Sequence, residues 1–289
     1  MSDQLSVAYV QAYSDNVIHL AQQAPSKFRM AARIKDGIIG KSCHFDRIAP
    51  TAAVKRTSRH APTPLVNTQH SRVRVSLDDY DWGDLIDQND DIRLLIDPTA
   101  EYTINAAKAM NRTWDDLLIA AFNAAITLVA ADDTTSTSAL AAANVIANGG
   151  TGLTVAKLRQ AVRVLDAGDV DEADRFFAFS PIGKEDLLAT TEVTSSDFNT
   201  VRALASGEID TFLGMKFILT TRLPVAANIR SGFAWQKNAM GLAIGRDTQN
   251  FVEPRYDLNG ATQVRFTLAG GATRVDNAGV VQVDFDESV

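Results

Sequence analysis

Four histidines, one cysteine and several acidic clusters are the residues of this chain whose types could do chemistry, and their spacing argues against most of it. Nucleophilic catalysis needs a serine or cysteine beside a base that a third group holds, with local signatures such as G-x-S-x-G. No such run occurs. His19, His44, His60 and His70 show no HExxH or paired-ligand spacing, so Cys43-His44 reads as two ordinary strand residues rather than half a metal site. Asp166, Asp169, Asp171, Glu172 and Asp174 would attract a hard cation, but they lack the loop spacing and the glycine at the sharp turn that calcium loops use. The run NGGTG at 148–152 lacks the glycine spacing and lysine of nucleotide loops, and no strand is expected just before it. Asn111-Arg112-Thr113 matches a glycosylation acceptor, but it falls in the middle of an expected helix. The expectation is a chain with no catalytic residues, no metal, no cofactor and no enzymatic role.

Charge offers a different chemistry. The net charge of −7 argues against a general nucleic-acid-binding protein, whose affinity comes from excess Lys and Arg. That average hides two blocks of opposite sign. Residues 27–74 hold eleven Lys or Arg against Asp36 and Asp46, a balance of +9. Residues 78–101 hold nine acids against Arg93, a balance of −8. Such blocks can be two solvated faces, can pair with each other, or can pair with the same blocks on a neighbouring copy. The candidate contact residues are Lys55, Arg56, Arg59, His60, Arg72 and Arg74 on the basic side and Asp78, Asp79, Asp81 and Asp84 on the acidic side.

The elements that must position these residues are legible in outline. Arg72, Arg74 and Ser76 alternate with Val73, Val75 and Leu77, which predicts a strand over 70–82, and residues 33–49 read as another. Between them, 50–69 carries three prolines and no sustained period. An unstructured connection of about 20 residues is uncommon inside a compact domain. Joining two strands, it reads as a long basic hairpin with Lys55, Arg56, Arg59 and His60 near its tip. After the acidic block, Asp97 and Pro98 form a helix start, and Ile104, Ala107, Asn111, Trp114, Leu118, Ala121 and Ala125 recur at helical spacing. The helix expected over 97–125 is the longest regular stretch of the chain. Its apolar end is too interrupted for a membrane span, which needs about 20 apolar residues.

The remaining elements are shorter. A small helix is expected over 14–23, and a hairpin over 126–140 turning at Asp132-Asp133. Thr154 caps a helix with Val155, Leu158, Val162 and Leu165 on one face, closed by Gly168. A buried strand follows from Arg175, and Ser180-Pro181 opens a helix to Leu188. A third helix covers 198–205, with Gly207 as its stop. Residues 209–223 read as extended chain with a bulge at Gly214, and 232–236 as a strand followed by a small helix through Leu242. The tail is β again, with Val264, Phe266 and Leu268 alternating, and it is expected to return to the long helix. The single cysteine excludes internal disulfides, and the first residues lack the regions of a signal peptide, so a cytoplasmic origin is expected.

This order, together with local runs, resembles the major capsid protein of tailed bacteriophages, the Hong Kong 97-type shell fold. The runs are AYSDNVIHLAQQ, HFDRI, KRTSRHAPTPL, LLIDPTAEY, MNRTWDDLLIAA, LTVAKLRQAVRVLDA, LLATTEVTSSDFNTVRALASGEIDTFLGMKFI and GATRVDNAGVV, spread over nearly the whole chain. The resemblance implies an α+β fold with an N-terminal arm at 1–32 and an extended hairpin loop at 33–77. It also implies a peripheral domain at 78–150 and 247–289 with spine helix 97–125, and an inserted axial domain at 151–246. It implies a structural subunit that self-assembles as hexamers and pentamers into an icosahedral shell around double-stranded DNA, in the virion, after synthesis in the host cytoplasm. The implied partners are other copies, a portal protein, a separate scaffolding or decoration protein, and DNA without sequence-specific contacts, with no membrane. No long scaffolding extension is expected before the arm, which would imply a separate scaffold protein or none, and no motif carries over the covalent cross-linking of one branch. An encapsulin-type nanocompartment shares the fold and is the alternative.

Overall fold

The computed structural model describes residue 23 and residues 25–60, 62–87, 98–130, 132–189 and 211–288. The expected helix at 14–23, but for Gln23, the Asp97 cap and the helix at 198–205 with its Gly207 stop lie outside the described residues. In chain order the strands are β1 (Arg33–Lys35), β2 (Ser42–Ile48), β3 (His70–Ser76), β4 (Asp78–Ile86), β5 (Ile126–Val129), β6 (Thr135–Ser138), β7 (Val145–Ile146) and β8 (Arg175–Phe179). They continue with β9 (Thr211–Phe212), β10 (Met215–Leu219), β11 (Val225–Ala226), β12 (Ile229–Gln236), β13 (Met240–Arg255), β14 (Ala261–Arg274) and β15 (Val280–Asp286). The α-helices are α1 (Pro98–Asn123), α2 (Val155–Ala167) and α3 (Pro181–Ala189). The chain divides into two units. One holds Met1–Ser26, Asp79–Thr113 and Asp247–Leu268, and the other Lys27–Asp78, Trp114–Arg246 and Ala269–Val289.

In the larger unit the expected hairpin is present. β3 buries Val73 and Val75 and exposes Arg72 and Arg74, as its alternation requires. It pairs antiparallel with β2 from Ser42 opposite Ser76 to Ile48 opposite His70, and the sheet continues in the order β2-β3-β5-β6. Cys43, Phe45 and Val75 pack with Ala243 and Val275, which roots the hairpin. A Cβ at Gly271 would lie 2.0 Å from the Ser76 carbonyl oxygen, so only glycine lets these two backbones approach. The ladder ends where the Ala49 N–H donates to the Gln69 carbonyl at 3.0 Å. Beyond it the described residues of the connection are exposed and form neither helix nor strand. The single strand expected over 70–82 is corrected to two, β3 and β4, which belong to different sheets. The break is at Leu77, whose N–H leaves the strand to bond the Lys41 carbonyl at 3.0 Å.

The hairpin expected at 126–140 is β5 and β6, with Asp133 in the left-handed region. The long helix stands within two residues of its expected ends, but its buried stripe is corrected. Ala106, Met110, Trp114, Leu118 and Phe122 are buried, whereas Ile104 is 44% exposed, Asn111 is half-buried and Ala125 lies exposed past the helix end. Steps of four residues drift by about 40° around the axis, and residue type alone does not say which of two neighbouring ridges faces inward.

Within the larger unit, Phe122 stacks on Phe233 with ring centroids 4.7 Å apart and meets Trp235 at 4.7 Å, while Phe28 stacks on Trp235 at 5.6 Å. Asp115, also on this part of the helix, is fully buried. Its carboxylate accepts the Lys27 N–H at 3.0 and 3.1 Å and the Phe28 N–H at 3.1 Å. That arrangement fixes the incoming chain against the helix, and the Trp235 indole adds a bond to the Ala31 carbonyl at 2.8 Å.

A second sheet of the same unit has the order β7-β15-β12-β8-β10-β9, with β11 also on β12. α2 lays Val155, Leu158, Ala161 and Leu165 into a core with Phe177, Met215, Val283 and Phe285. Its Thr154 cap is as expected, accepting the Lys157 N–H at 3.4 Å. Gly168 follows its end as expected, as the cap with φ −88°, and Asp169 next takes the left-handed conformation with φ 52°. Gly214 is not a bulge. Leu213 and Gly214 both have positive φ between paired β9 and β10, the pattern of a two-residue hairpin turn. The small helix expected through Leu242 is a short 3-10 turn ending at Ala239, after which β13 begins. β15 does not simply return to the long helix; it inserts between β7 and β12. Glu287, just past β15, accepts from Arg230 Nε at 2.5 Å and from the Ser180 hydroxyl at 2.6 Å. Burial alone would raise the Glu287 pKa, but these two partners carry it below the ordinary value.

In the smaller unit β4 lies beside β14, whose other neighbour is β13. Trp82 meets Phe266 edge-on at 6.4 Å, and the Arg265 guanidinium sits 4.9 Å from the Phe251 ring centre.

Replacing Asp115 by alanine leaves buried N–H groups without their acceptor, so Asp115→Ala is expected to cost roughly 1–3 kcal/mol. Asp115→Asn keeps an accepting oxygen and should recover part of the loss. Urea midpoints of the assembly-competent subunit, measured for both variants, check this.

Candidate intersubunit surfaces

The basic candidates fall into two groups. Lys55, Arg56, Arg59 and His60 are exposed on the connection between β2 and β3, and Arg56 Nε reaches only the nearby Ser58 carbonyl at 2.8 Å. Arg72 and Arg74 are exposed side by side on one face of β3. Arg72 is already matched within its own sheet, by Asp46 on the facing strand at 3.1 Å. Both partners are more than half exposed, so solvent screens the pair. Asp78, Asp79, Asp81 and Asp84 are all exposed along β4, which ends its sheet among the described strands. Asp84 accepts the N–H of Leu85 at 2.9 Å.

The residues weighed for chemistry have structural surroundings. Cys43 is buried in the hairpin root, and among the described residues no cluster of His, Cys, Asp or Glu could hold a metal ion. The NGGTG run is preceded by a strand after all, the two-residue β7, which a propensity reading misses because two residues carry no period. The chain's own side chains occupy the loop that follows. Asp186 accepts the Leu153 N–H at 3.0 Å, and Lys157 Nζ donates to the Thr151 and Gly152 carbonyls at 2.8 and 2.9 Å. Burial pushes the Asp186 pKa up and the Lys157 pKa down. The Leu153 N–H and the Lys157 ammonium, donors that a phosphate would need, are therefore engaged from within.

Two surfaces were not read from the sequence. A cavity of about 410 Å³ opens at the loop-side end of the β2–β3 ladder, lined by residues that include Arg47, Ile48, His70, Arg72, Val129 and Asp133. In the smaller unit, the turn between β13 and β14 exposes Tyr256 at 87% and Leu258 at 42%, beside an Arg255–Asp257 pair at 2.6 Å. The Arg255 hydrogen bond holds the Asp257 carboxyl below its ordinary pKa. The available signal was Asn259-Gly260, a turn pair with positive φ at both residues, in a tail read as β.

Because the Asp46–Arg72 pair is exposed, Arg72→Ala is expected to change subunit stability by no more than about 1 kcal/mol. Thermal unfolding of the unassembled subunit checks it. An assembly defect in the same variant would then report a contact between copies rather than misfolding.

A family model described as phage capsid protein matches residues 5–287. Among solved structures, the chain is similar to the capsid of cyanophage P-SCSP1u, with 17% identity over 96% of this chain and 93% of that one and a TM-score of 0.73. It is similar to a structure from Mycobacterium phage Che8, with 15% identity, coverage of 96% and 97%, and a TM-score of 0.71. It is also similar to the acid-stable capsid of Helicobacter pylori bacteriophage KHP30, with 11% identity, coverage of 99% and 97%, and a TM-score of 0.71. At these identities the likeness of the structures speaks for the fold. No curated protein matches the chain by sequence.

Proposed function

Since this chain belongs to the phage capsid protein family, and its fold is that of tailed-phage capsids, we propose that it closes its shell by clasping neighbouring copies with the basic hairpin loop. The chain is a structural protein of the phage virion, a major capsid protein; the family match over nearly its whole length carries that conclusion. Many copies, grouped as hexamers and pentamers, form an icosahedral shell around double-stranded DNA held without sequence-specific contacts. A portal protein is a further partner, with a separate scaffolding or decoration protein where one is used, and synthesis takes place in the host cytoplasm. An encapsulin-type compartment would hold cargo enzymes instead of a genome, and the family match favours the virus.

The basic loop of one copy lies over the acidic strand of its neighbour. The support is physical. A 20-residue connection whose described residues are exposed has no reason within one subunit to keep four basic or histidine side chains at Lys55, Arg56, Arg59 and His60, and β4 offers four exposed aspartates. Complementarity of this kind fixes register and speeds encounter more than it adds affinity, and salt screens it over about 8 Å at physiological ionic strength.

Deleting 50–69 should leave a folded subunit that closes no shells in electron micrographs; normal shells would remove the loop from the mechanism. Charge reversal at Arg56 or Arg59 should impair assembly at low salt. Restoration by reversing Asp79 or Asp81, read as particle yield by light scattering, checks the pairing across copies.

A further inference from the structure

The edges of the sheets in this fold are treated unequally. β4, at the end of its sheet, carries Asp78, Asp79, Asp81 and Asp84, the kind of charge that keeps an open edge from pairing with another chain. β6, at the end of the sheet β2-β3-β5-β6, carries none. It reads Thr135-Ser136-Thr137-Ser138, without charge or proline, and its first three residues are exposed. Among the described residues no strand pairs with its outer side. The Ala130 N–H donates to the Thr134 carbonyl at 2.9 Å, which sets the alternation of the antiparallel ladder. Ser136 and Ser138 turn their backbone groups toward β5, and Thr135 and Thr137 turn theirs outward.

The same unit holds a segment suited to that edge. Residues 65–68, Leu-Val-Asn-Thr, follow Pro64 in the connection just before the ladder closes at Gln69. They are uncharged and exposed, Leu65 at 98%, and they match the four residues of β6 in length. Resting on the reading of the loop as a clasp, we propose that residues 65–68 of one copy add as a strand to the outer edge of β6 of a second copy. Main-chain bonds to Thr135 and Thr137 supply the adhesion, as in other cases of strand addition. Donor and acceptor are different surfaces, so each contact can pass from copy to copy head-to-tail, and its repetition forms a ring where the rotation closes. The loop's basic tip remains free for an acidic surface while its neutral base pairs with β6.

Thr137→Pro removes an outward N–H and leaves the bonds to β5 in place. The full-length variant is expected to unfold at the wild-type midpoint and to lose shell formation. In a second arm, a Val66→Cys chain is mixed with a Thr135→Cys or Thr137→Cys chain under mild oxidation. A disulfide-linked pair is expected on a non-reducing gel, and a chain carrying both substitutions should give a ladder of covalent oligomers. Should Thr137→Pro fail to fold, the cysteine arm decides. Normal shells from folded Thr137→Pro, or no cross-link in either register, would overturn the proposal. If deletion of 50–69 still abolishes shells in that case, the clasp stands and seizes another surface; if it does not, the clasp reading fails as well.

Discussion

The packing of Phe122 against Phe233 and Trp235 at the end of the long helix is the contact on which the larger unit depends. Aromatic side chains bury more area than any others, and the stack joins the helix, β12 and, through Phe28, the incoming chain. Polar anchors reinforce the same place. Asp115 holds the backbone at Lys27 and Phe28, and the buried Arg274 guanidinium donates to the Phe122 carbonyl at the helix end, where a cation also suits the helix dipole. Burial pulls the Arg274 pKa below its ordinary value, the cost of placing a charge there. The second bond, from Arg274 Nε to Asn277 at 2.8 Å, ties the turn before β15 into the same joint.

From that joint the hairpin can be thrown outward. Its root is a small apolar cluster under β2 and β3, held by the close approach of Gly271 to Ser76, and among the described residues no comparable cluster supports the chain between Ala49 and Gln69. A loop with so little internal packing has not offset its own ordering entropy within the subunit, and the contacts with a neighbouring copy proposed above would offset it. Other polar groups of the larger unit serve its fold. Asp186 and Lys157 fill the turn before α2, and Glu287 pairs with Arg230 at the chain end.

What could be read from residue order was local and periodic. The alternation through Val73 and Val75 located a strand and its buried face, Pro98 marked a helix start, Thr154 and Ser180 marked two more, and the charge blocks identified the exposed basic loop and the acidic strand. Runs spread over the whole chain were enough to suggest the capsid family that the family model then matched. Each of these follows from short-range physics, since side-chain alternation, capping and charge composition depend on neighbours within a few residues.

What the sequence did not decide was which edges pair and which ridges are buried within the subunit. The helix stripe shifted from Ile104 to Ala106 and Met110, because burial depends on what packs there and not on apolar type alone. The separation of β3 from β4 at Leu77, the placement of β15 between β7 and β12, and the open side of β6 are all non-local pairings. Strand pairing is chosen among distant segments by register and burial, so the residues of one strand do not name its neighbour. Residue order determined most of the strands, helices and charged loops; tertiary packing decided which of them meet within the subunit, and so which edges stay unpaired among the described strands.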